Sequence, residues 1–360
     1  LQSLGGLMGV RIFRNEEVIR QLNEMAHQRA EVEVTDNGTE KSKVRAGTVS
    51  KQVWWNLLMR VNKNNQSISE RHLDSLIKNR VLKIGLRLQC PECTQRTWFD
   101  LEEISERVVC ERCLREFDFP ASRPPAEEAW HYRVIGPFSV ENFAQGSYCV
   151  ALASNFLGNP ISSEITFIPP FCLKSNNGQQ QLEADFGIFF RRSQFEKKDP
   201  ILIIGECKSY DRFLPKDIKR MNRIAQAFPG SVLAFCTMRK QLEPVEKKLI
   251  SGLAKKGRKH LRAEKWHNPV LVLTGIELFS DSGPPYCWKE AGNSFKAFAQ
   301  TYKGYEGIQE LCNITQQMHL GMEPYWAWYE SERIKRQNRR NRKRSDQIST
   351  PVQNLGSPIA

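Results

Sequence analysis

Four cysteines set the tightest constraint on how this chain folds. Cys90-Pro-Glu-Cys93 and Cys110-Glu-Arg-Cys113 form the pattern C-x2-C-x16-C-x2-C. A C-x2-C turn holds two thiolates about one metal-ligand span apart. A hairpin that joins two such turns offers four sulfurs in a tetrahedron, the arrangement Zn2+ prefers. The residues around the turns suit that hairpin: Thr97-Trp98-Phe99 and Val108-Val109 supply strands, and Leu114, Phe117 and Phe119 follow the second turn. Four thiolates leave no open coordination position, so the ion is expected to hold the fold and do no chemistry. A redox dithiol needs one C-x2-C and leaves the second unexplained. The other six cysteines (Cys149, Cys172, Cys207, Cys236, Cys287, Cys312) are scattered through apolar or helical stretches and read as small buried hydrophobes in a reducing compartment.

Residues 86–119 resemble a zinc ribbon, with Cys90, Cys93, Cys110 and Cys113 as the ligands that the resemblance implies. Ribbons occur in many nucleic-acid-processing proteins and also as plain structural staples. Upstream, residues 1–85 are expected to be mainly helical. Val18, Ile19, Leu22 and Met25 repeat at helical spacing over 15–27, and Trp54, Trp55, Leu57, Leu58 and Val61 do so over 53–61. Asn37-Gly38 marks a turn. Ser67 and Glu70 have capping-box spacing ahead of Leu73, Leu76 and Ile77. From Leu82 the period changes to two, through Ile84, Leu86 and Leu88, which predicts a strand that runs into Cys90. Helix, helix, strand is compatible with a small winged-helix-like unit and equally with a helical packing domain. Pro120, Pro124 and Pro125 make 120–129 a linker, and 130–330 reads as mixed α/β.

Charge narrows the partners. The chain of 360 residues carries 53 Lys and Arg against 40 Asp and Glu, a net +13. Residues 331–360 hold eight bases and two acids, so both this tail and the body are basic. A polyanion is the natural partner, with nucleic acid favoured over a membrane surface and a solvated basic surface as the bland alternative. The tail is expected to be disordered, and Lys335–Arg344 also looks like a weak nuclear-localisation run. No run of about 18 apolar residues exists, so no membrane-spanning helix is expected. Leu1–Val10 lacks the signal-peptide pattern, and Leu1 in place of Met fits a fragment or a trimmed chain. A cytoplasmic protein is expected, nucleoid-associated if the source is prokaryotic.

The most informative stretch is 182–210. Glu183-Ala-Asp185 leads into Phe186-Gly-Ile-Phe-Phe190, and a polar loop follows. Ile201-Leu-Ile-Ile204 is the continuous apolar run of a buried strand, which ends in Gly205-Glu206-Cys207-Lys208. Residues two apart on a strand share a face, so Glu206 and Lys208 project together, and Asp185 starts the neighbouring strand. Two carboxylates and an ammonium can converge at one end of a hairpin. Carboxylate oxygens suit Mg2+, which lowers the pKa of a bound water, and a lysine can hold that water or offset charge on phosphorus. An E-x-K triplet also arises by chance in most chains of this size, and charged strand ends are often merely solvated.

Asp185, Glu206 and Lys208 resemble the signature of the PD-(D/E)xK nuclease superfamily, with a restriction-endonuclease-like fold. The helix expected over 215–228 and the strands expected at 232–236 and 271–273 fit its order, over roughly residues 130–280. The resemblance implies an α/β (α+β) fold with a mixed sheet flanked by helices. It implies Mg2+ or Mn2+ held by Asp185, Glu206 and the Cys207 carbonyl, water positioned by Lys208, and cleavage of DNA in preference to RNA. Defence against foreign DNA, mobile-element work or repair follows by analogy of fold alone. The first helix, expected over 140–157, lacks a central acid. Glu141, Gln145 and Glu183 are the accessory candidates, and the number of metals stays open.

Lys219, Arg220 and Arg223 follow on the helix after Lys208. Arg239, Lys240, Lys247, Lys248, Lys255, Lys256, Arg258, Lys259 and Arg262 give the 244–262 helix a cationic outer side. Of these, Lys219, Arg223, Lys247, Lys248, Lys255 and Lys256 are the candidate phosphate contacts, with a solubilising surface as the alternative. Tyr325-Trp-Ala-Trp328-Tyr reads as packing rather than base stacking, and the six histidines have no metal spacing. Cys207 has no histidine pattern to make it a nucleophile. Cutting both strands of a duplex would call for a homodimer or two events, and partner proteins of a multi-component system also fit. Two other readings remain: a nuclease-like domain that binds nucleic acid or docks proteins without turnover, and a zinc-ribbon transcription or scaffold factor.

Overall fold

The computed structural model describes residues 6–348, apart from 28, 37–38, 120–125, 141–142, 159–163, 175–180, 192–198, 264–266, 293 and 305–306. The N-terminal part holds more helix than strand, with a hairpin and a short strand set between its helices. A 3-10 stretch, Gly6–Arg14, leads to α1 (Glu16–His27). A hairpin follows, β1 (Arg29–Asp36) and β2 (Thr39–Ala46), then β3 (Thr48–Ser50), α2 (Lys51–Val61) and α3 (Gln66–Lys78). Charged and β-branched residues alternate along β1 and β2, a period of two that overrides any helical reading; the Asn37-Gly38 turn lies outside the described residues. Helix α3 is capped by Asn65, whose Oδ1 accepts from the Ile68 amide at 3.1 Å, rather than by Ser67. The helix starts one residue before Ser67, so that serine sits inside its first turn.

Strands β4 (Leu82–Gln89), β5 (Arg96–Asp100), β6 (Arg107–Val109), β7 (Glu116–Asp118) and β8 (Trp130–Val134) follow. The ribbon is not free-standing. Its first strand pair joins a four-stranded sheet in the order β3-β8-β4-β5, while β6 and β7 form a separate hairpin. Trp130–Val134, read from the sequence as the first residues of the α/β part, pairs back onto β4 and β3. Its buried His131, Tyr132 and Val134 beside half-buried Trp130 and Arg133 give no sign of which sheet it joins.

The C-terminal part is built on α4 (Phe143–Gly158), β9 (Glu164–Ile168), β10 (Phe171–Lys174), β11 (Gln181–Ala184), β12 (Phe186–Arg191), β13 (Ile201–Lys208), α5 (Pro215–Ala227), β14 (Val232–Thr237), α6 (Pro244–Arg262) and β15 (Val270–Leu273). The main sheet has the order β15-β14-β13-β12-β9. Strand β12 is antiparallel to both β9 and β13, whereas β13, β14 and β15 run parallel, joined by α5 and α6 as crossovers. Mixed α/β architecture is thus established. Strand β13 is central because its apolar run can be covered on both faces. Ile203 and Cys207 face α4 in one core. Ile204 faces α5 and α6 in the other, among Met221, Ile224, Phe235, Ile250 and Leu253.

Helices α7 (Gly275–Leu278), α8 (Tyr286–Ala291), α9 (Phe295–Thr301), α10 (Ile308–Leu320) and α11 (Tyr325–Ile348) close the chain. Within this layer buried Glu277 accepts from Trp288 Nε1 at 2.8 Å and meets His319 Nε2 at 2.9 Å. Helix α11 corrects the expected disorder after residue 330: the segment stays helical to Ile348, because Arg, Lys and Gln are good helix formers that continue an anchored first turn. Among the described residues no helix is long and apolar enough to cross a membrane.

Candidate functional site

The two cysteine turns are near-copies of each other. In the first, the Cys90 amide donates to Gln95 O at 2.9 Å and the Thr94 amide to Cys90 O at 3.0 Å. In the second, the Cys110 amide donates to Arg115 O and the Leu114 amide to Cys110 O, both at 2.9 Å. Each turn closes through a left-handed residue that is not glycine, Thr94 at φ +57° and Leu114 at φ +58°. The four Sγ atoms lie within 4.8 Å of one another, with Cys90–Cys113 at 3.7 Å and Cys93–Cys110 at 3.6 Å. Tetrahedral Zn–S bonds require an S···S separation of about 3.8 Å, so the cluster can hold a zinc ion without rearrangement. As a free thiol, Cys90 is pulled down to about 7, chiefly by the Cys93 amide. Among the described residues this is the group of three or more His, Cys, Asp or Glu side chains placed to hold a metal.

The second site lies where the sheet changes from antiparallel to parallel. The β12–β13 ladder ends at Phe186 opposite Gly205, and the chain bends at Asp185. Gly205 is required there: a Cβ would fall 2.0 Å from the buried ring of Phe186. Beyond the last ladder pair, Asp185 Oδ2 takes the Cys207 amide hydrogen at 2.6 Å. This bond ties the first carboxylate to the strand that carries the other two groups. Glu206 and Lys208 share the face turned toward α5, as the period of two demands. Lys208 Nζ stands 2.9 Å from Glu206 Oε1 and 3.7 Å from Asp217 Oδ2.

Two further members of this cluster come from α5, and of these the sequence reading missed Asp217. Asp217 occupies the first turn of α5, where its Oδ2 accepts from the Leu214 amide at 2.8 Å and caps the helix. Arg220, one turn on, reaches Asp217 Oδ1 at 3.4 Å and bonds Glu206 Oε2. Arg220, which the sequence places with Lys219 and Arg223 on the helix near the site, turns inward. Glu206, Lys208, Asp217 and Arg220 thus form a closed ring of alternating charge. Both acids are about 1% exposed, and the two bases form its outer edge. The available signal was an Asp-x-x-Arg pair in the first turns of the helix that follows the E-x-K strand.

Burial dominates the electrostatics. It raises the Glu206 carboxyl above its ordinary value, and repulsion from Asp185 adds to the rise, against Lys208 and Arg220. Burial likewise raises Asp185, despite the Cys207 amide and the nearby Lys208 and Arg220. Burial alone would lower Lys208, but Glu206 outweighs it and holds the ammonium above the ordinary lysine value. The Cys207 thiol points to the other face, buried against Cys149 and Cys236, and is pushed well up. It is not a nucleophile at neutral pH.

The loops around the ring are pinned by Glu246. Its carboxylate accepts the Phe213 amide at 2.8 Å and the Glu243 amide at 2.9 Å, and holds Arg239 bidentately at 2.6 and 2.9 Å. Arg239 therefore belongs to the scaffold and not to a cationic surface. So does Arg258, 2% exposed, which donates to Gln316 and Glu323 O and stacks over Tyr325. Both long side chains are drawn inward by partners distant in sequence. Lys219, Lys248, Lys255 and Lys256 are exposed, and Arg223 and Lys247 half-exposed, on α5 and α6. Lys256 Nζ donates to Asn222 Oδ1 at 2.7 Å. Of the accessory candidates, Glu183 is exposed on β11, Glu141 lies outside the described residues, and Gln145 is placed by its backbone in the first turn of α4. Helix α4 covers the sheet face opposite Glu206 and Lys208.

Comparison of the chain with protein-family models, with curated proteins and with solved structures returned no match.

Proposed function

We propose that the protein is a metal-dependent phosphodiesterase that cuts DNA, with Asp185, Glu206 and Lys208 at its centre. The observation that carries this reading is the convergence of those three groups at the end of β12 and β13, locked by the 2.6 Å bond from the Cys207 amide to Asp185. The sheet order and the α5 crossover are what a restriction-endonuclease-like fold would have. The residues fit a divalent cation: buried Glu206 and half-buried Asp185, whose ionisation is disfavoured by desolvation, would be relieved by a positive ion between them. When bound, Mg2+ or Mn2+ lowers the pKa of water and offsets charge on the phosphate. Asp185 and Glu206 would hold the ion, with the Cys207 carbonyl beside them. Lys208, kept protonated by Glu206, would orient the attacking water and stabilise charge that develops on phosphorus. Lysines on α5 and α6 lie on the same side of the sheet and would contact the backbone.

A second reading, binding without turnover, is favoured by one feature: Lys208 and Arg220 engage both oxygens of Glu206, so the chain's own cations stand where a metal would. The two readings separate on supercoiled plasmid, linear duplex and single-stranded RNA, each with Mg2+, Mn2+ or EDTA. Metal-dependent cutting by the wild type that is lost in Glu206→Gln is expected. Salt-sensitive binding with no cutting under any metal would establish the second reading.

A further inference from the structure

The C-terminal helix has a property that neither site uses. Its root is fixed: the Tyr325 amide donates to Asn313 Oδ1 at 3.0 Å, Gln316 Nε2 donates to the Tyr325 hydroxyl at 3.1 Å, and Arg258 lies over the ring at 4.5 Å. From Arg333 to Asn341 every residue is exposed, so the helix leaves the body and is bare on all sides. At 24 residues it is about 36 Å long. Trp326, Tyr329, Arg333, Arg336 and Arg340 follow one another at intervals of three and four, and so form a single stripe. Trp326 is 72% exposed and Tyr329 50%, although both are large aromatics beside a packed core.

The charge pattern opposes the helix when it stands alone. Lys335 and Arg339, and likewise Arg336 and Arg340, are like charges one turn apart, each pair unfavourable by a few tenths of a kcal/mol. Arg333 pairs with Glu330 at 2.9 Å and Lys335 with Glu332 at 3.3 Å, both acids near the root. Asp346 is the one acid in the sequence beyond them up to Ile348. A polyanion removes the repulsion along the rest.

We propose that α11 is a DNA-docking helix that enters the major groove of a duplex with its Trp326–Arg340 stripe against one wall. The dimensions agree: a helix with side chains is about 10–12 Å across and the B-form major groove about 12 Å wide. The major groove of A-form RNA is too narrow to admit it. Five exposed bases, Arg333, Lys335, Arg336, Arg339 and Arg340, match phosphates on both walls, and the aromatics at the root pack on the sugar edge where the helix meets the body. The proposal shares with the hydrolase reading only DNA as partner, and does not depend on turnover at Asp185–Lys208.

The test uses the full zinc-loaded chain, a labelled 25-base-pair duplex and fluorescence anisotropy, with no added Mg2+ or Mn2+ and no chelator so that cutting does not intervene and the cysteine cluster keeps its ion, across a salt series. The R333Q/R336Q/R340Q variant is expected to bind at least tenfold more weakly at 0.1 M salt. Its log K against log salt slope should be shallower by about 2 to 3, the amount for three lost phosphate contacts. R333K/R336K/R340K should keep the wild-type slope, which separates lost charge from a misfolded helix. Helical circular dichroism should rise when the duplex is added to the wild type and not when it is added to the neutral variant. A slope change below one in R333Q/R336Q/R340Q overturns the proposal. So does equal affinity for an RNA duplex of the same length. A chain that docks this way and never cuts sinks the hydrolase and keeps the helix; a chain that cuts, with a neutral variant that binds unchanged, does the reverse.

Discussion

The cysteine cluster and the carboxylate–lysine cluster are built in opposite ways. Each cysteine pair is set by a five-residue turn with its own hydrogen bonds, so half of the site exists before any tertiary contact forms. The second cluster has no local half. Asp185 comes from a bend, Glu206 and Lys208 from a central strand, Asp217 and Arg220 from the next helix, and only the folded sheet brings them together. Burial does not separate the two: Cys90 and Cys110 are as buried as Glu206 and Asp217.

The largest expected effect breaks the first site. Cys110→Ser should abolish tight zinc binding, measured by metal content after dialysis, since apparent affinities of such sites are on the order of 10 kcal/mol or more. Proteolysis should then cut within 86–119 while the main sheet survives. Loss of the main sheet as well would show that β4 and β8 transmit the ion's contribution further than the comparison allows. Next comes the scaffold of the second site. Glu246→Ala leaves half-buried Arg239 without its carboxylate and frees the Phe213 amide, and should cost about 3 kcal/mol in urea denaturation, the lower end for a broken ion pair because Arg239 keeps some solvent. Arg239→Met in the same background should recover part of that loss.

Gly205→Ala should cost roughly 1–3 kcal/mol, because the added methyl meets the Phe186 ring and neither can retreat. Unchanged stability would mean the hairpin end is looser than its packing implies. Asp185→Asn tests electrostatics. Burial raises this carboxyl, so its charge opposes folding: the wild type is relatively most stable below the ordinary carboxylate value, and loses ground as pH rises through the folded value. The variant should therefore melt a few degrees above wild type at pH 7–8 in EDTA and equal to it near pH 3. Mg2+ should raise the melting point of the wild type alone. The smallest effect is Leu114→Gly, which removes left-handed strain at φ +58° on an exposed residue. It should raise the stability of the zinc-loaded protein by about 1 kcal/mol or less.

What the amino-acid sequence determined by itself was whatever depends on near neighbours. A period of two located β4, and short apolar runs located β12, β13 and β14, because a strand half-covered alternates and one covered on both faces is apolar throughout. The C-x2-C spacing located the metal-binding turns, because chain geometry over four residues is nearly fixed. Glu206 and Lys208 were placed on one face for the same reason. Tertiary structure alone decided the rest. It joined Trp130–Val134 to β4 and not to the main sheet, since strand alternation carries no label for its partner. It turned Arg220, Arg239 and Arg258 inward, because a long flexible side chain follows a carboxylate or an aromatic ring that only the fold supplies. It also kept 331–348 helical, where composition alone pointed to disorder, since a first turn pinned by Asn313 and Arg258 removes the cost of nucleation and good helix formers need only propagate it.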